Sequence, residues 1–479
     1  MRVRSRAAAK NTDMLRGSAL SRVLLFSAPL MAGNLFTQLY SLIDAAVVGR
    51  FVGVNAFAAI GCTGWVAWLL IALCRDSSNA ICIMGSVRVG ANRPDEFKRV
   101  QATAAYIGFV LAAVACTLLL SCMDTVLRIN RVPAEIYQDA KTYLTIYTLA
   151  VPLNMLCGMA SALLRASGNS RVPFLAMTVS AAVNVVLDLY FVLSLHAGVA
   201  GVAWATLIAQ GVAAIIALLG LSGRELFSMR RRDWRPDGAL LREAFSLWSP
   251  MFLNSVVITV GGVYVQSCVN AVGAAFSAGY TAAVKIFNLF EAVVISVQTA
   301  LSVFIGQNLG ARQLARVRKG FFQTLAVSML LMALLAVGSF AFGDPVIGAF
   351  LSHDDPAAYR QAFETARRQL RFMMTGTVLM VPMYFFRMGA QTIGRPNSTF
   401  VAGVVQMIAR ILTIVLLSDR FGAVAYHLTD PAAWAASLPV VAVPFLRDLR
   451  VLEQSAVQPP QGGEPPSDSV TEDQEEKTR

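Results

Sequence analysis

Apolar residues run through this chain in twelve blocks, each close to the about 20 residues that a helix needs to cross the hydrocarbon core of a bilayer. The blocks fall near 23–49, 56–85, 101–123, 139–163, 173–195 and 197–222, then 245–272, 278–306, 320–342, 367–392, 398–420 and 423–446. Each is read as a membrane-spanning helix. Asp430 and Pro431 interrupt the last block and are candidates for its true start.

Polar positions between the blocks alternate in charge. Lys and Arg gather at the N-terminus, around Arg88, Arg93, Lys98 and Arg99, at Arg165 and Arg171, across 223–244 with Arg230, Arg231 and Arg232, and at Arg312, Arg316, Arg318 and Lys319. The intervening loops are weakly charged or acidic, as in SHDDPAAYR at 352–360. Basic loops stay on the cytoplasmic side, so both termini are expected in the cytoplasm. MRVRSRAAAK resembles a signal-peptide n-region, but no A-x-A site follows the apolar run, which is read as the retained first span.

A repeat emerges when the halves are offset by about 220 residues. VGANRPDEFKR from Val89 then overlies LGARQLARVRK from Leu309, and Pro29 overlies Pro250. Two sets of six spans, each starting inside, make a parallel duplication about an axis along the membrane normal. The expected fold is therefore an all-α polytopic membrane protein with 12 transmembrane helices in two six-helix lobes related by a pseudo-twofold axis. Its parts are a basic N-terminus at 1–22, lobes at 23–222 and 245–446, a cytoplasmic linker at 223–244 and a tail at 447–479. From Gln458 the tail is rich in Pro, Gly and acid and reads as a disordered extension.

Composition narrows the classes. Of 479 residues 56% are hydrophobic and 14% charged, with a mean hydropathy of +0.60, which excludes a soluble globular protein. The net charge of +12 lies in loops without aromatic interleaving, so it reports orientation and no nucleic-acid partner is expected. Seven cysteines, Cys62, Cys74, Cys82, Cys116, Cys122, Cys157 and Cys268, show no CxxC or Cys/His metal spacing and read as small apolar residues.

Chemistry enters through the acids inside the spans. A charged side chain in hydrocarbon is costly and marks a functional site by default. Asp44 lies about one to two turns from the outer end of the first span. Asn184 and Asp188, spaced i, i+4, share a face of the fifth, and Thr206 reaches similar depth on the sixth. Two carboxylates in one low-dielectric site cannot both ionise cheaply, so one holds a proton or the pair holds a cation. The plain alternative is that Asp188 caps a neighbour and Asn184 satisfies backbone. In the second half Gln406 and Arg410 occupy the places of Asn184 and Asp188, so the lobes are chemically unequal. By depth, Glu291 is the expected partner of Arg410, with Lys285 a turn or two nearer the outside; these three form either an ion-pair network or a substrate contact. Arg387 is expected to snorkel at a helix end. Arg75 and Asp76 point about 100° apart and have no assigned partner.

LYSLIDAAVVGRFVGVNAFAAIG, LLRASGNSRVP, NVVLDLYFV, GVAGVAWATLIAQ and FIGQNLGAR together resemble the multidrug and toxic compound extrusion (MATE) transporters, in particular the DinF-like branch, over nearly all of residues 20–445. The resemblance implies two lobes around a V-shaped cavity and export of organic, often cationic, amphipathic compounds in exchange for protons or sodium. Carried over by position, the coupling residues are Tyr40, Asp44, Asn184, Asp188 and Thr206, with Pro29 as a hinge where protonation of the first-span acid bends the helix. Arg75-Asp76-Ser77 departs from the small residues usual in the second span. Gln406 stands where an acid often precedes the eleventh-span Arg, and the tenth-span acid of the NorM-like branch is missing. The expected protein is a secondary antiporter in the bacterial inner membrane, monomeric, with small-molecule substrates, no catalytic residues, no metal and no cofactor beyond H+ or Na+. The nearest rival is a lipid-linked precursor flippase of the same superfamily. An intramembrane aspartyl protease would need a GxGD motif, which is absent.

Overall fold

A computed structural model describes residues 13–130, 132–351 and 355–457. Among them every regular element is helical, and the thirteen α-helices comprise twelve long ones and the short α4. The first six long helices are α1 (Ala19–Val47), α2 (Val54–Gly90), α3 (Pro94–Ser121), α5 (Tyr137–Ala166), α6 (Arg171–Leu189) and α7 (Gly198–Leu221), with α4 (Met123–Ile129) after α3. The second six are α8 (Gly238–Val272), α9 (Ala274–Gly310), α10 (Leu314–Phe350), α11 (Pro356–Thr392), α12 (Asn397–Phe421) and α13 (Val424–Val457).

Helix starts follow local chemistry. Pro94 opens α3 where a missing N–H costs nothing, with Asp95 and Glu96 in the first turn. The Asp237 carboxylate accepts from Ala239 and Leu240 N–H at the head of α8, and Asp355 does the same for Ala357 and Ala358 at the head of α11.

Ten of the long helices are apolar enough to cross a membrane by length and composition. The exceptions are α11, which opens with Arg360, Glu364, Arg367, Arg368 and Arg371, and α13, which carries Asp430, Arg447 and Asp448. Both occupy the places expected of the tenth and twelfth spans. Neither Asp430 nor Pro431 starts the last helix, because α13 begins at Val424 and runs through Pro431, Pro439 and Pro444. It also continues to Val457, so residues 447–457, expected in the tail, are part of the last helix. Residues 1–12 and the tail from 458 lie outside the described residues. Large side chains such as Phe109 on α3, Val337 and Phe342 on α10 and Leu416 on α12 face outward, as a lipid-facing surface requires.

Packing separates the halves. In the first, α5 packs against α2, α3 and α7, and α6 against α1 and α7; in the second, α11 packs against α9, α10 and α13, and α12 against α8 and α13. Contact between halves runs through α1 and α2 against α8 and α9. It is tightest at the end carrying the basic loops. A Cβ added to Gly90 would lie 1.9 Å from the Gln307 carbonyl oxygen, and one added to Gly310 would lie 2.0 Å from that of Val87. These contacts are reciprocal, since Gly90 and Gly310 are equivalent in the repeat. Just beyond them Asn92 and Arg312 hold left-handed φ values of 56° and 57°, so the repeat extends to backbone geometry. Arg88 of α2 donates two bonds to the Glu243 carboxylate of α8, at 2.6 and 2.5 Å, and Gln307 donates to the Ala166 carbonyl at 2.8 Å.

Only a residue without a side chain tolerates backbone at such distances. Gly310→Val should force the two helix ends apart, at an overpacking cost of about 1–3 kcal/mol. The check is maleimide labelling of a cysteine placed at Ser86, which is buried in the seam: Gly310→Val should expose it in detergent solution. Gly338→Val, where a Cβ meets nothing within 4 Å, should leave it protected.

Candidate functional site

In the first lobe α1 and α6 pack side by side, and each changes pitch at the same level. After Val47 the chain forms a π-helical turn over Val48–Val52, and after Leu189 another over Tyr190–Ser194; the two turns touch. Each closes with the wider ring that defines a π turn, Gly53 N–H to Val48 C=O at 3.1 Å and Leu195 N–H to Tyr190 C=O at 3.2 Å. Asp44 and Asp188 sit in the last α-helical turn before these features.

The two acids lie within reach of each other's charge, and Tyr40, one turn before Asp44, is within reach of both. Asn184 and Asp188 are 3% and 1% exposed. All four of their side-chain polar atoms are buried without a hydrogen-bond partner among the described residues, as is one carboxylate oxygen of Asp44. No cation whose side chain is described pairs with either acid. Buried polar groups are otherwise almost always satisfied, and an unpaired carboxyl pair is expensive. That cost argues against the capping role, for which Asp188 would need a donor.

Thr206 is placed differently. Its hydroxyl donates to the Val202 carbonyl at 3.1 Å, one turn back in α7. It lines a small void of about 10 Å³ with Tyr147, Asn154 and Gln210. Pro29 lies within an unbroken α1, about four turns from Asp44. The residues that sequence reasoning missed are Tyr143 and Tyr147 of α5, whose rings stack at 5.7 Å and which both feel the Asp44 charge. Their i, i+4 spacing in a span was the available signal.

In the second lobe Asp430 and Glu291 each have a partner. Arg410 of α12 pairs with Asp430 of α13 at 2.7 Å, with side chains 14% and 13% exposed. This corrects the expected Arg410–Glu291 pair: equal depth says nothing about direction around a helix, and α13 is the neighbour that α12 faces. Glu291 instead accepts a short hydrogen bond from the Tyr384 hydroxyl, and Arg387 stacks over the Tyr384 ring at 4.6 Å. Arg387 therefore adjoins this cluster. Lys285 is half-buried and makes no ion pair or hydrogen bond among the described residues. Gln406, the counterpart of Asn184, donates to Ser437 at 3.2 Å.

Arg75 and Asp76 gain partners across the lobes. Arg75 Nε donates to Asp76 at 3.1 Å, while the Ser255 hydroxyl of α8 donates to Asp76 at 2.6 Å and lies 3.2 Å from Arg75 Nη2. The guanidinium lies over the Trp68 ring at 5.3 Å.

Two six-helix halves joined along a seam, with unpaired acids buried in one of them, define a polytopic membrane protein of two-lobed, transporter-like architecture. A family model for MatE matches residues 29–190 and 250–416, one segment in each half, starting at Pro29 and Pro250. The chain belongs to the MATE family. It is 26% identical over 364 residues to "Probable multidrug resistance protein YpnP" of Bacillus subtilis (strain 168), covering 74% of this chain and 79% of that protein. Similarity to the multidrug export protein MepA of Staphylococcus haemolyticus (strain JCSC1435) reaches 22% over 410 residues, covering 85% and 88%. A solved structure described as the outward-facing conformation of a multidrug resistance MATE family transporter superposes with a TM-score of 0.86 at 20% identity, over 93% of this chain and 99% of that one.

The Arg410–Asp430 pair yields a stability prediction. Arg410→Ala strands a buried acid and should cost about 3–5 kcal/mol, whereas Arg410→Met with Asp430→Leu should recover most of that. Thermal unfolding in detergent of the single and double variants measures the difference.

Proposed function

We propose that the protein is a secondary active antiporter that exports organic, amphipathic and chiefly cationic compounds in exchange for protons, with the coupling site at Asp44 and Asp188. The observation that carries this reading is the contrast among the buried acids: Asp44 and Asp188 have no counter-ion among the described side chains, whereas Asp76, Glu291 and Asp430 are bonded. An acid pair that no fixed cation neutralises must take up a mobile one, and a proton is the smallest. Tyr40 and Tyr143 lie near both acids, Tyr147 stacks on Tyr143, and Thr206 lines a void with Tyr147.

The cycle is alternating access. With the seam closed at the basic end, which the charge bias of the loops assigns to the cytoplasm of a bacterial inner membrane, the acids are open to protonation from outside. Neutralising one acid removes the repulsion between them and relaxes α1 between Pro29 and the π turn, so the cargo loses its place. Opening the seam then releases the proton inward. Both termini are cytoplasmic, and one chain suffices for the cycle.

Asp44→Asn should abolish drug-stimulated proton flux in proteoliposomes while leaving thermal unfolding close to wild type, because the substitution removes a charge that has no partner to strand. Asp188→Asn should act alike. Transport by Asp44→Asn at the wild-type rate would sink the mechanism. Dye efflux under an imposed pH gradient, compared with a sodium gradient, should respond to the former.

A further inference from the structure

At the end carrying the basic loops the halves also meet at two flanking junctions, where α3 packs on α8 and where α10 packs on α1. With Pro29 over Pro250 and Gly90 over Gly310 these junctions are equivalent, yet their charges are opposite. The first carries the carboxylates of Asp95, Glu96, Asp237 and Glu243. In the second, Ala315, Arg316, Arg16 and Arg22 stand in those four places.

Ion pairs from one half to the other close the acidic junction. Arg99 of α3 lies 3.7 Å from the Asp237 carboxylate at the head of α8, and Arg88 of α2 pairs with Glu243 of α8 at 2.5 Å. In the second junction the place of Arg99 is taken by Lys319 and that of its partner Asp237 by Arg16, so a cation remains and its anion is gone. Lys319 makes no ion pair or hydrogen bond among the described residues. Beside it lies a cavity of about 380 Å³ whose lining includes Ser18 and Ala19 of the α1 end and Arg316, Lys319 and Gln323 of α10. No acid is among those lining residues. Arg316 shapes one wall by donating to the Gly17 and Met14 carbonyls at 2.6 and 3.1 Å, and Asp13, the acid nearest in sequence, accepts from the Leu15 N–H at 2.9 Å.

Apolar side chains continue from the cavity along both helices. Leu25 of α1 is 60% exposed and Leu330 of α10 is 61% exposed; Leu330, eleven positions after Lys319, returns to within about 20° of it around the helix. Exposed Phe322 lies between them on α10. A soluble anion gains nothing from such a strip, and an acyl chain covers it. We propose that this cavity binds the headgroup of an anionic phospholipid, whose phosphate takes the place that the Asp237 carboxylate fills in the equivalent junction. Lys319 pairs with the phosphate, and the Ser18 hydroxyl and Gln323 amide have donors for its oxygens. Basic pockets between helices at a cytoplasmic face suit such headgroups. Since α1 and α10 belong to different halves, one junction carries its anion in the chain and the other borrows it from the membrane. The occupied site is a fastener at the end where the seam closes, a role that rests on the exporter reading, whereas the binding itself does not.

The test titrates phosphatidylglycerol with a fluorescent acyl chain into the full-length protein in neutral detergent, without an ion gradient or cargo. Unlabelled phosphatidylglycerol should compete at least about fivefold more strongly than phosphatidylcholine, the worth of about one Lys at an anionic surface. Excess inorganic phosphate should not displace the probe. Lys319→Gln should weaken phosphatidylglycerol binding about fivefold. Arg16→Asp, which installs the carboxylate of the other junction, should do the same; if it melts below wild type, Lys319→Gln, at an exposed position, carries the test. Arg242→Gln removes an exposed cation from the start of α8 and should leave affinity unchanged. Equal competition by phosphatidylcholine overturns the proposal, as does displacement by phosphate alone or a loss in Arg242→Gln as large as in Lys319→Gln. Asp44→Asn should bind the lipid as wild type does. Lipid preference without proton flux supports the site and counts against the antiport reading; flux without lipid preference does the reverse.

Discussion

Hydrocarbon offers no water to satisfy a polar group, so every buried donor, acceptor and charge in this protein must find its partner within the chain or carry the cost. Most do find one. Serines and threonines along the long helices donate back to carbonyls one turn earlier, as Ser78, Ser86, Thr148 and Thr324 do. Against that background the unpaired atoms of Asn184 and Asp188 stand out by energy as well as by residue type. They sit where α1 and α6 leave the α-helical path, so the costly groups and the irregular backbone coincide.

The two lobes share a fold and divide the chemistry. Equivalent positions carry Asp188 in one and Arg410 in the other, and the base comes with its own acid, Asp430. A bonded pair is a fixed structure, and an unbonded pair is available to a mobile ion. Duplication thus left one lobe with a neutralised polar centre and the other with an open one. The backbone at the seam kept its symmetry, down to the matched left-handed Asn92 and Arg312.

Much of this was legible in the residues. Twelve apolar blocks, the repeat and the i, i+4 pair Asn184–Asp188 follow from period and position alone. The partner of Arg410 did not, because depth along a helix axis fixes one coordinate and the direction around it comes from packing. Asp430-Pro431 read as a helix start because Pro ends most helices; in α13 it is interior, where neighbouring helices surround the freed carbonyl. Tyr143 and Tyr147 passed as ordinary core aromatics, and nothing in the sequence marks a π turn. Arg75 and Asp76 gained meaning only when Ser255 of the other lobe came beside them.

The paired π turns at Val48–Val52 and Tyr190–Ser194 amount to slack wound into two adjacent rods. A π turn is an α-helix carrying one residue too many, and that residue can migrate along the helix without breaking the chain. Passing it by one position past Asp44 advances the carboxylate by about 1.5 Å and swings it through about 100°. A displacement of that size carries a side chain from one face of its helix to another. Rigid helices and a turning acid are therefore compatible in the same twenty-odd ångströms of membrane, roughly the depth that the outer two-thirds of a span occupies.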